Sequence, residues 1–295
     1  MSPYSLISKN KNKTLFIMLV FVIIFTGFFY LIGKYFNAGN SYLIMGLIIS
    51  TLSTVGSYFY SDKIVLLTTG AKPANRKKHY DFYTTAENLS IASGLPMPKL
   101  YVINSPSMNA FATGRDPKHA VICVTTGLLE KLDRSDIEGV IAHELAHIKN
   151  YDILLSSIIA VLVGSIVIIS DWFLRSFYWR SNSNNRGRNP VLGVLVILAL
   201  IITPVLATLI QLAISRKREY LADASGVLIT RNPNGLADAL EKISQHSKLD
   251  NISPAVSHLF ISNPLNSNKK NANWFLNLFS THPPIEERIK ILKSM

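Results

Sequence analysis

Four long stretches of the chain are strongly apolar and contain no Asp, Glu, Lys or Arg: Thr14–Gly33, Tyr42–Ser61, Ile153–Ser170 and Val191–Ser215. Each has the roughly 18–25 residues that a helix needs to cross the hydrocarbon core of a bilayer. The first is too long for a signal-peptide core and lacks a small-residue cleavage site, so we expect it to be retained. The pattern predicts two membrane hairpins, although the third stretch also fits a buried core helix.

The polar segments between these stretches show both helical and strand periodicity. Tyr80–Ser93 is predicted to be a helix that ends at Gly94. The Asn232-Pro233 pair predicts the start of a helix across Leu236–His246. Alternating or short apolar runs predict three strands: Lys99–Asn104, Met108–Thr113 and Ala120–Thr125. A polar domain of mixed α and β structure is therefore expected beside the membrane hairpins.

Residues 143–147 read His-Glu-Leu-Ala-His within a run that is apolar at helical spacing. Ser135 and Glu138 match a capping box and predict the start of this helix. His143 and His147 would share one face and offer two imidazole nitrogens to one Zn²⁺. Glu144 beside them would act as the general base on a water activated by the metal.

A third ligand is needed, because catalytic zinc usually has three protein ligands and one open position. The best candidate is Glu219, which follows His147 by 72 residues with two apolar stretches between them. Two membrane crossings in that interval would return the chain to the same side. Asp223 lies one helical turn after Glu219, and Asp152 follows the first helix. Either carboxylate would orient a ligating imidazole, or would be an ordinary solvated or helix-pairing side chain.

The basic residues of the chain cluster next to the apolar stretches and are more numerous on one side of them. The net charge is +12, and eleven Lys and Arg flank the stretches on one side against five on the other. The positive-inside rule places the richer side in the cytoplasm. Because the basic residues cluster beside the spans, no nucleic-acid partner is expected. The single cysteine, Cys123, excludes an internal disulfide and a cysteine-based zinc site.

Four separated motifs resemble the membrane-bound heat-shock zinc metalloproteases of the HtpX type: NAFATG (109–114), HELAHIKNYD (143–152), SRKREYLADASG (215–226) and STHPPIEERIKIL (280–292). The resemblance covers nearly the whole chain. It implies one zinc per subunit bound by His143, His147 and Glu219, with Glu144 catalytic. It also implies a multi-pass protein of the cell membrane whose site faces the cytoplasm and which cleaves misfolded or damaged membrane proteins.

The expected fold is mostly α and integral to the membrane, with four transmembrane helices and a zincin-like α+β metalloprotease domain. The second hairpin would split that domain. The expected segments are an N-terminal transmembrane hairpin (1–61), a first protease half with the HExxH helix (62–152), a second transmembrane hairpin (153–215) and a second protease half with the third ligand (216–295).

Two further sites are expected with open alternatives. The strand formed by Asn109, Ala110, Phe111 and Ala112 would bind an extended substrate through its backbone. The Asn109 amide would add a hydrogen bond, or Asn109 would be a turn residue. By resemblance, His282 would stabilise the oxyanion, or it would be an ordinary structural histidine.

Two other function classes compete with a zinc metalloendopeptidase. A zinc-binding scaffold without turnover would be favoured by loss of Glu144, which is present. A metal transporter would need ionisable ligands inside the spans, and the four stretches contain no Asp, Glu, His, Lys or Arg. The expected partners are therefore unfolded or membrane polypeptides and the lipid bilayer.

Overall fold

The computed structural model describes residues 3–35, 40–180, 216–249, 252–264 and 283–295, in which the chain is mostly helical. The helices in these ranges are α1 (Pro3–Tyr35), α2 (Ser41–Thr69), α3 (Tyr80–Ser93), α4 (Thr126–Lys131), α5 (Arg134–Lys149), α6 (Asp152–Arg180), α7 (Arg216–Thr230), α8 (Pro233–His246), α9 (Pro254–Ser257) and α10 (Ile285–Leu292). The strands are β1 (Lys72–Pro73), β2 (Lys99–Ile103), β3 (Ala110–Thr113) and β4 (Val121–Thr125).

The first two helices form an apolar N-terminal pair. They are long and apolar enough to cross a membrane over Ile7–Leu31 and Ser41–Thr69. The helices approach closely at Gly46, where a Cβ would lie 2.5 Å from the Cβ of Phe29. On the outer face Leu15 and Phe16 are 68% and 61% exposed, which indicates contact with lipid. The first two predicted membrane stretches are thus confirmed as apolar helices of spanning length.

The third predicted stretch lies in α6, which follows α5 after a bend of 84°. Tyr151 at the bend has a left-handed φ of 59°. Early in α6, Leu155, Ile158 and Leu162 are fully buried inside the protein. In the described ranges two helices can cross a membrane, or three if the bent pair counts as one span. The fourth stretch lies outside those ranges, so the four crossings stay a prediction.

A mixed sheet of four strands lies in the described part of the chain, in the order β1-β2-β4-β3. Strands β2 and β4 are parallel, while β1 and β3 run antiparallel to their neighbours. The three predicted strands are confirmed to within two residues at either end, and β1 was not predicted. All of β4 is buried, including Cys123, and β3 lies at the edge of the sheet beside α5.

Helix α5 occupies the centre of the polar domain, and most of its residues are buried. The capping box prediction was wrong. The N-cap is Asp133, whose carboxylate accepts a hydrogen bond from the Asp136 N–H at 3.0 Å. The Ser135 hydroxyl instead accepts a hydrogen bond from Asn232 at 2.8 Å. The predicted helix after Asn232 is confirmed as α8, and this contact holds the start of α8 against the start of α5.

Two glycines let neighbouring helices approach α5. A Cβ on Gly139 of α5 would lie 2.6 Å from the backbone nitrogen of Leu236 in α8. A Cβ on Gly226 of α7 would lie 3.1 Å from the backbone nitrogen of His143. Because α7 runs this close to α5, side chains one or two turns before Gly226 reach the histidines of the HExxH motif.

Candidate metal centre

The two histidines of α5 face one point. His143 and His147 are one helical turn apart, and their Nε2 atoms are separated by 3.2 Å. The rings are nearly perpendicular, with an interplanar angle of 89°. His143 is buried and His147 is partly buried. The pair therefore lies at the bottom of a pocket that is open to the protein surface at His147.

Glu219 from α7 completes the group. Its Oε2 lies 3.8 Å from His143 Nε2, and its Oε1 lies 3.7 Å from His147 Nε2. One ligand atom from each of the three residues lies within 4.8 Å of the others, an arrangement that can hold a metal ion. The structure therefore brings together the three ligands expected from the sequence, across the segment that contains the second pair of apolar stretches.

Each histidine is anchored by a carboxylate on its other nitrogen. His143 Nδ1 lies 2.9 Å from Asp223 Oδ1, and His147 Nδ1 lies 3.0 Å from Asp152 Oδ2. A carboxylate only accepts hydrogen bonds, so in each histidine Nδ1 is the nitrogen that donates to the carboxylate. Each Nε2 is then the nitrogen available to a metal ion, which must displace any proton bound there. Both predicted orienting carboxylates lie within hydrogen-bond distance of a histidine, and their role in orienting metal ligands stays a prediction.

Arg288 of α10 is a site residue that sequence reasoning missed. It is the largest fully buried side chain in the described residues. Its guanidinium holds Asp223 through two hydrogen bonds, of 2.8 and 2.6 Å. Its Nη1 lies 3.6 Å from Glu219 Oε2. A signal was available, because Arg288 lies on the face of α10 that also carries Ile285 and Leu292.

Buried charges set the electrostatics of the pocket. Burial alone lowers the pKa of His147, but the hydrogen bond to Asp152 and the charge of Glu219 raise it to about 9. Burial raises the pKa of Asp223, but Arg288 and His143 lower it to about 2. Asp223 thus stays ionised, and the raised pKa of His147 shows that the pocket favours a cation between the histidines, where a metal ion would compete with protons.

Glu144 lies beside this point and is 3% exposed. Burial raises the pKa of its carboxyl to about 7, and the charge of Glu219 acts in the same direction. The charge of His147 and a hydrogen bond from the Ala112 backbone oppose that shift. A carboxylate with a pKa near neutrality is suited to accept and release a proton.

The strand expected to bind substrate lies at the edge of the pocket, but one of its side chains is used differently. The Asn109 amide donates to the carbonyls of Ser247 and Ser262 at 3.2 and 2.8 Å. Asn109 has no exposed surface, so the expected hydrogen bond from this amide to a substrate is not available in this conformation. Ala112 lines the pocket, whereas the Phe111 ring packs on Phe260 at 4.9 Å.

One further histidine, His258, lies at the pocket, and another, His282, was predicted to act there. His258, which the sequence did not single out, lines the pocket, and its Nε2 lies 3.2 Å from the Ser156 carbonyl oxygen. His258 directly follows α9, a helix of four residues that is too short to give a periodic signal. His282, the expected oxyanion residue, lies outside the described residues, so its role stays a prediction.

The chain is similar in sequence and fold to known proteins. The model of peptidase family M48 matches residues 77–295. A "Protease HtpX homolog" of Caldanaerobacter subterraneus subsp. tengcongensis is 46% identical over 99% of this chain and 97% of the relative. A protein of the same name from Tropheryma whipplei is 44% identical over 99% of this chain and 98% of its own.

Solved structures also share the fold. The crystal structure of S. mikatae Ste24p matches with a TM-score of 0.50 and 19% identity, over 98% of this chain and 67% of that chain. The family match covers more than half of the sequence, and the relatives are alike from end to end. The chain therefore belongs to peptidase family M48, as a membrane metalloprotease similar over nearly its whole length to the HtpX homologues.

Proposed function

We propose that the chain is a zinc-dependent endopeptidase of the cell membrane that cleaves misfolded or damaged membrane proteins at its cytoplasmic side. The observation that carries the proposal is the convergence of His143, His147 and Glu219 beside the buried carboxyl of Glu144. A scaffold that only bound a metal would have no use for an acid of near-neutral pKa at this position.

The spacing of the three ligands supports zinc. Tetrahedral ligands at about 2.0–2.1 Å from Zn²⁺ are about 3.3–3.4 Å from each other. The separation of the two Nε2 atoms is 3.2 Å, and Glu219 lies 3.7 and 3.8 Å from them. Two neutral imidazoles and one carboxylate are also a usual donor set for catalytic zinc. The residues present therefore fit the metal.

Bound zinc would supply Lewis-acid chemistry that polarises a carbonyl and acidifies water. The protein supplies the proton transfer. Glu144 accepts the proton of the attacking water at its carboxylate and returns it to the leaving amine. Asp152 and Asp223 keep the two imidazoles in the tautomer with a free Nε2. Arg288 balances the negative charge of Asp223 and Glu219 behind the ligands.

The free edge of β3 is proposed to bind the substrate as an added strand. The Ala110 carbonyl already accepts a hydrogen bond from the Ile261 N–H at 2.9 Å, so the edge is covered there. Ala112, two residues along, faces the same way and lines the pocket. Recognition through backbone groups implies a broad sequence preference. His282 is proposed, by resemblance alone, to stabilise the oxyanion.

The proposed domain arrangement follows the expected segments, with apolar hairpins at 1–61 and 153–215 and protease halves at 62–152 and 216–295. The eleven-to-five excess of Lys and Arg beside the polar halves supports a cytoplasmic site. A cytoplasmic site beside lipid-facing helices would meet loops and unfolded segments of membrane proteins. The bilayer and such polypeptides are the proposed partners, without nucleic acid.

The test compares Glu144→Gln with wild type for zinc content and casein digestion. The variant should keep one zinc per chain and lose proteolysis, because Glu144 is the base and not a ligand. Glu138→Gln is the matched control, since Glu138 is on the same helix but half-exposed and paired with Arg134. Loss of zinc from Glu144→Gln would refute the assigned role, and full activity in that variant would refute the mechanism.

A further inference from the structure

One buried polar residue of the first membrane helix reaches the metal centre. Asn10 of α1 is 7% exposed. Its Nδ2 donates to the Asn150 carbonyl at 2.9 Å and to Asp152 Oδ1 at 2.8 Å. Both hydrogens of the amide are thus used at the joint between α5 and α6. A membrane helix is thereby bonded to the residue that anchors a histidine of the site.

The two oxygens of Asp152 have separate partners. Oδ2 lies 3.0 Å from His147 Nδ1, while Oδ1 accepts the amide proton of Asn10. Arg218 Nε is farther from Oδ1, at 3.5 Å. A carboxylate with a hydrogen bond on only one oxygen can rotate about its Cβ–Cγ bond. With both oxygens held, the plane of the carboxylate is fixed, and the ring of His147 with it.

We propose that Asn10 is a positioning residue of the metal centre, through which the docking of the first membrane helix tunes metal binding. The inference rests on the proposed assignment of His147 as a zinc ligand. It adds a link from α1 through Asp152 to that ligand. A chain in which α1 is displaced from α5 and α6 then binds zinc more weakly, although all three ligands remain.

A simpler role for Asn10 would be to pack α1 against the protein. That role would need only the hydrogen bond to the Asn150 backbone, and its loss would lower stability without a specific effect on the metal. Thr14 provides the comparison. It is one turn along α1 and 2% exposed, and its hydroxyl donates only to the Asn10 carbonyl at 2.8 Å. Thr14→Val removes a buried hydrogen bond from the same helix without touching Asp152.

The experiment measures zinc dissociation constants by competition with a chelator, on full-length protein in a Glu144→Gln background that prevents proteolysis. Asn10→Leu should weaken zinc binding about 3–10-fold, less than the 10–100-fold that direct partners of a ligand cost. Thr14→Val should leave the constant within about 2-fold of the parent. Melting temperatures without metal report the loss of packing separately, and Asn10→Ala serves if the leucine variant does not fold.

A double-mutant cycle with Asp152→Ala decides how Asn10 acts. If Asn10 works through Asp152, the double variant should bind zinc no more weakly than Asp152→Ala alone. The inference would be overturned if the losses of zinc affinity in the two single variants multiplied in the double variant. An unchanged zinc dissociation constant in the Asn10 variants would also overturn it. His147→Ala separates this from failure of the metal assignment. If His147→Ala binds zinc as tightly as the parent, His147 is not a zinc ligand. The proposed metal site is then refuted, and so is the inference that depends on it.

Discussion

Replacing Arg288 by methionine should strongly destabilise the metal-free protein. The guanidinium is fully buried, with two hydrogen bonds to Asp223 and a third contact at 3.6 Å to Glu219. Methionine fills similar space but leaves both carboxylates buried without their counter-charge. Breaking a buried ion pair from one side costs about 3–5 kcal/mol.

The loss should appear as a fall in melting temperature. At about 2–4 °C per kcal/mol for a chain of this size, the expected fall is about 6–20 °C. The assay is thermal unfolding of detergent-solubilised protein with a metal chelator present. Arg134→Met is the control, because Arg134 forms an exposed pair with Glu138 that is worth at most about 1 kcal/mol.

The pH dependence gives a second readout of the same pair. Asp223 has a pKa of about 2 in the folded protein against its ordinary value of 3.8. A depressed carboxyl pKa stabilises the fold above pH 4 by about 2 kcal/mol, and this contribution disappears as the pH falls toward 2. In Arg288→Met this acid-sensitive contribution should shrink. The double variant with Asp223→Asn should recover part of the loss, since one of the two uncompensated buried carboxylates is then replaced by a neutral amide.

Melting of Arg288→Met within about 2 °C of wild type would refute this reasoning. So would a double variant no more stable than Arg288→Met, because the penalty would then not arise from the uncompensated charge. Arg288→Lys separates charge from geometry. It keeps the charge but not the two parallel hydrogen bonds, so its stability should fall between those of wild type and the methionine variant.

Three other predictions concern the ligands, the helix packing and the topology. Glu219→Ala should lose zinc in metal analysis, while Asp223→Ala should lose about 10–100-fold in affinity, and the opposite order would exchange their roles. Gly139→Ala should lower stability by about 1–3 kcal/mol in thermal unfolding, since its Cβ would meet the α8 backbone at 2.6 Å. Gly164→Ala, with its nearest neighbour at 3.9 Å, should be neutral. A reporter inserted within 181–188 should report the outside and one at the C-terminus the cytoplasm, and two identical signals would rule out a crossing second hairpin.

Local patterns predicted the elements that have strong local causes. The helix Tyr80–Ser93 ends where predicted because Gly94 takes a left-handed φ of 69°, which glycine adopts without strain. The convergence of His143, His147 and Glu219 was predicted from spacing on a helix and from an expected return of the chain across the membrane. These inferences needed only the local sequence and the side of the membrane on which each polar segment was expected to lie.

Long-range choices were out of reach of the same reasoning. Ser135 and Asp133 are both good helix caps, and the structure uses Asp133 because the Ser135 hydroxyl is occupied by Asn232, 97 residues away. Arg288 lies in a polar motif, where arginine is usually exposed. Its place on the apolar face of α10 was a local signal of burial, but its pairing with Asp223 joins residues 65 positions apart and has no local signal. The two-residue strand β1 has no pattern of its own and exists only through its pairing with β2.

The three proposed ligands are far apart in the sequence, so the site can be completed only late in the synthesis of the chain. Glu219 is made 72 residues after His147, and the bridging Arg288 later still. At roughly 5–20 residues per second, the first interval alone lasts about 4–14 s. During it the nascent chain carries the proposed base and two of the proposed ligands, but not the third. The site can therefore be completed only after the intervening apolar residues have left the ribosome. Until then, the nascent chain cannot be cleaved by its own active site.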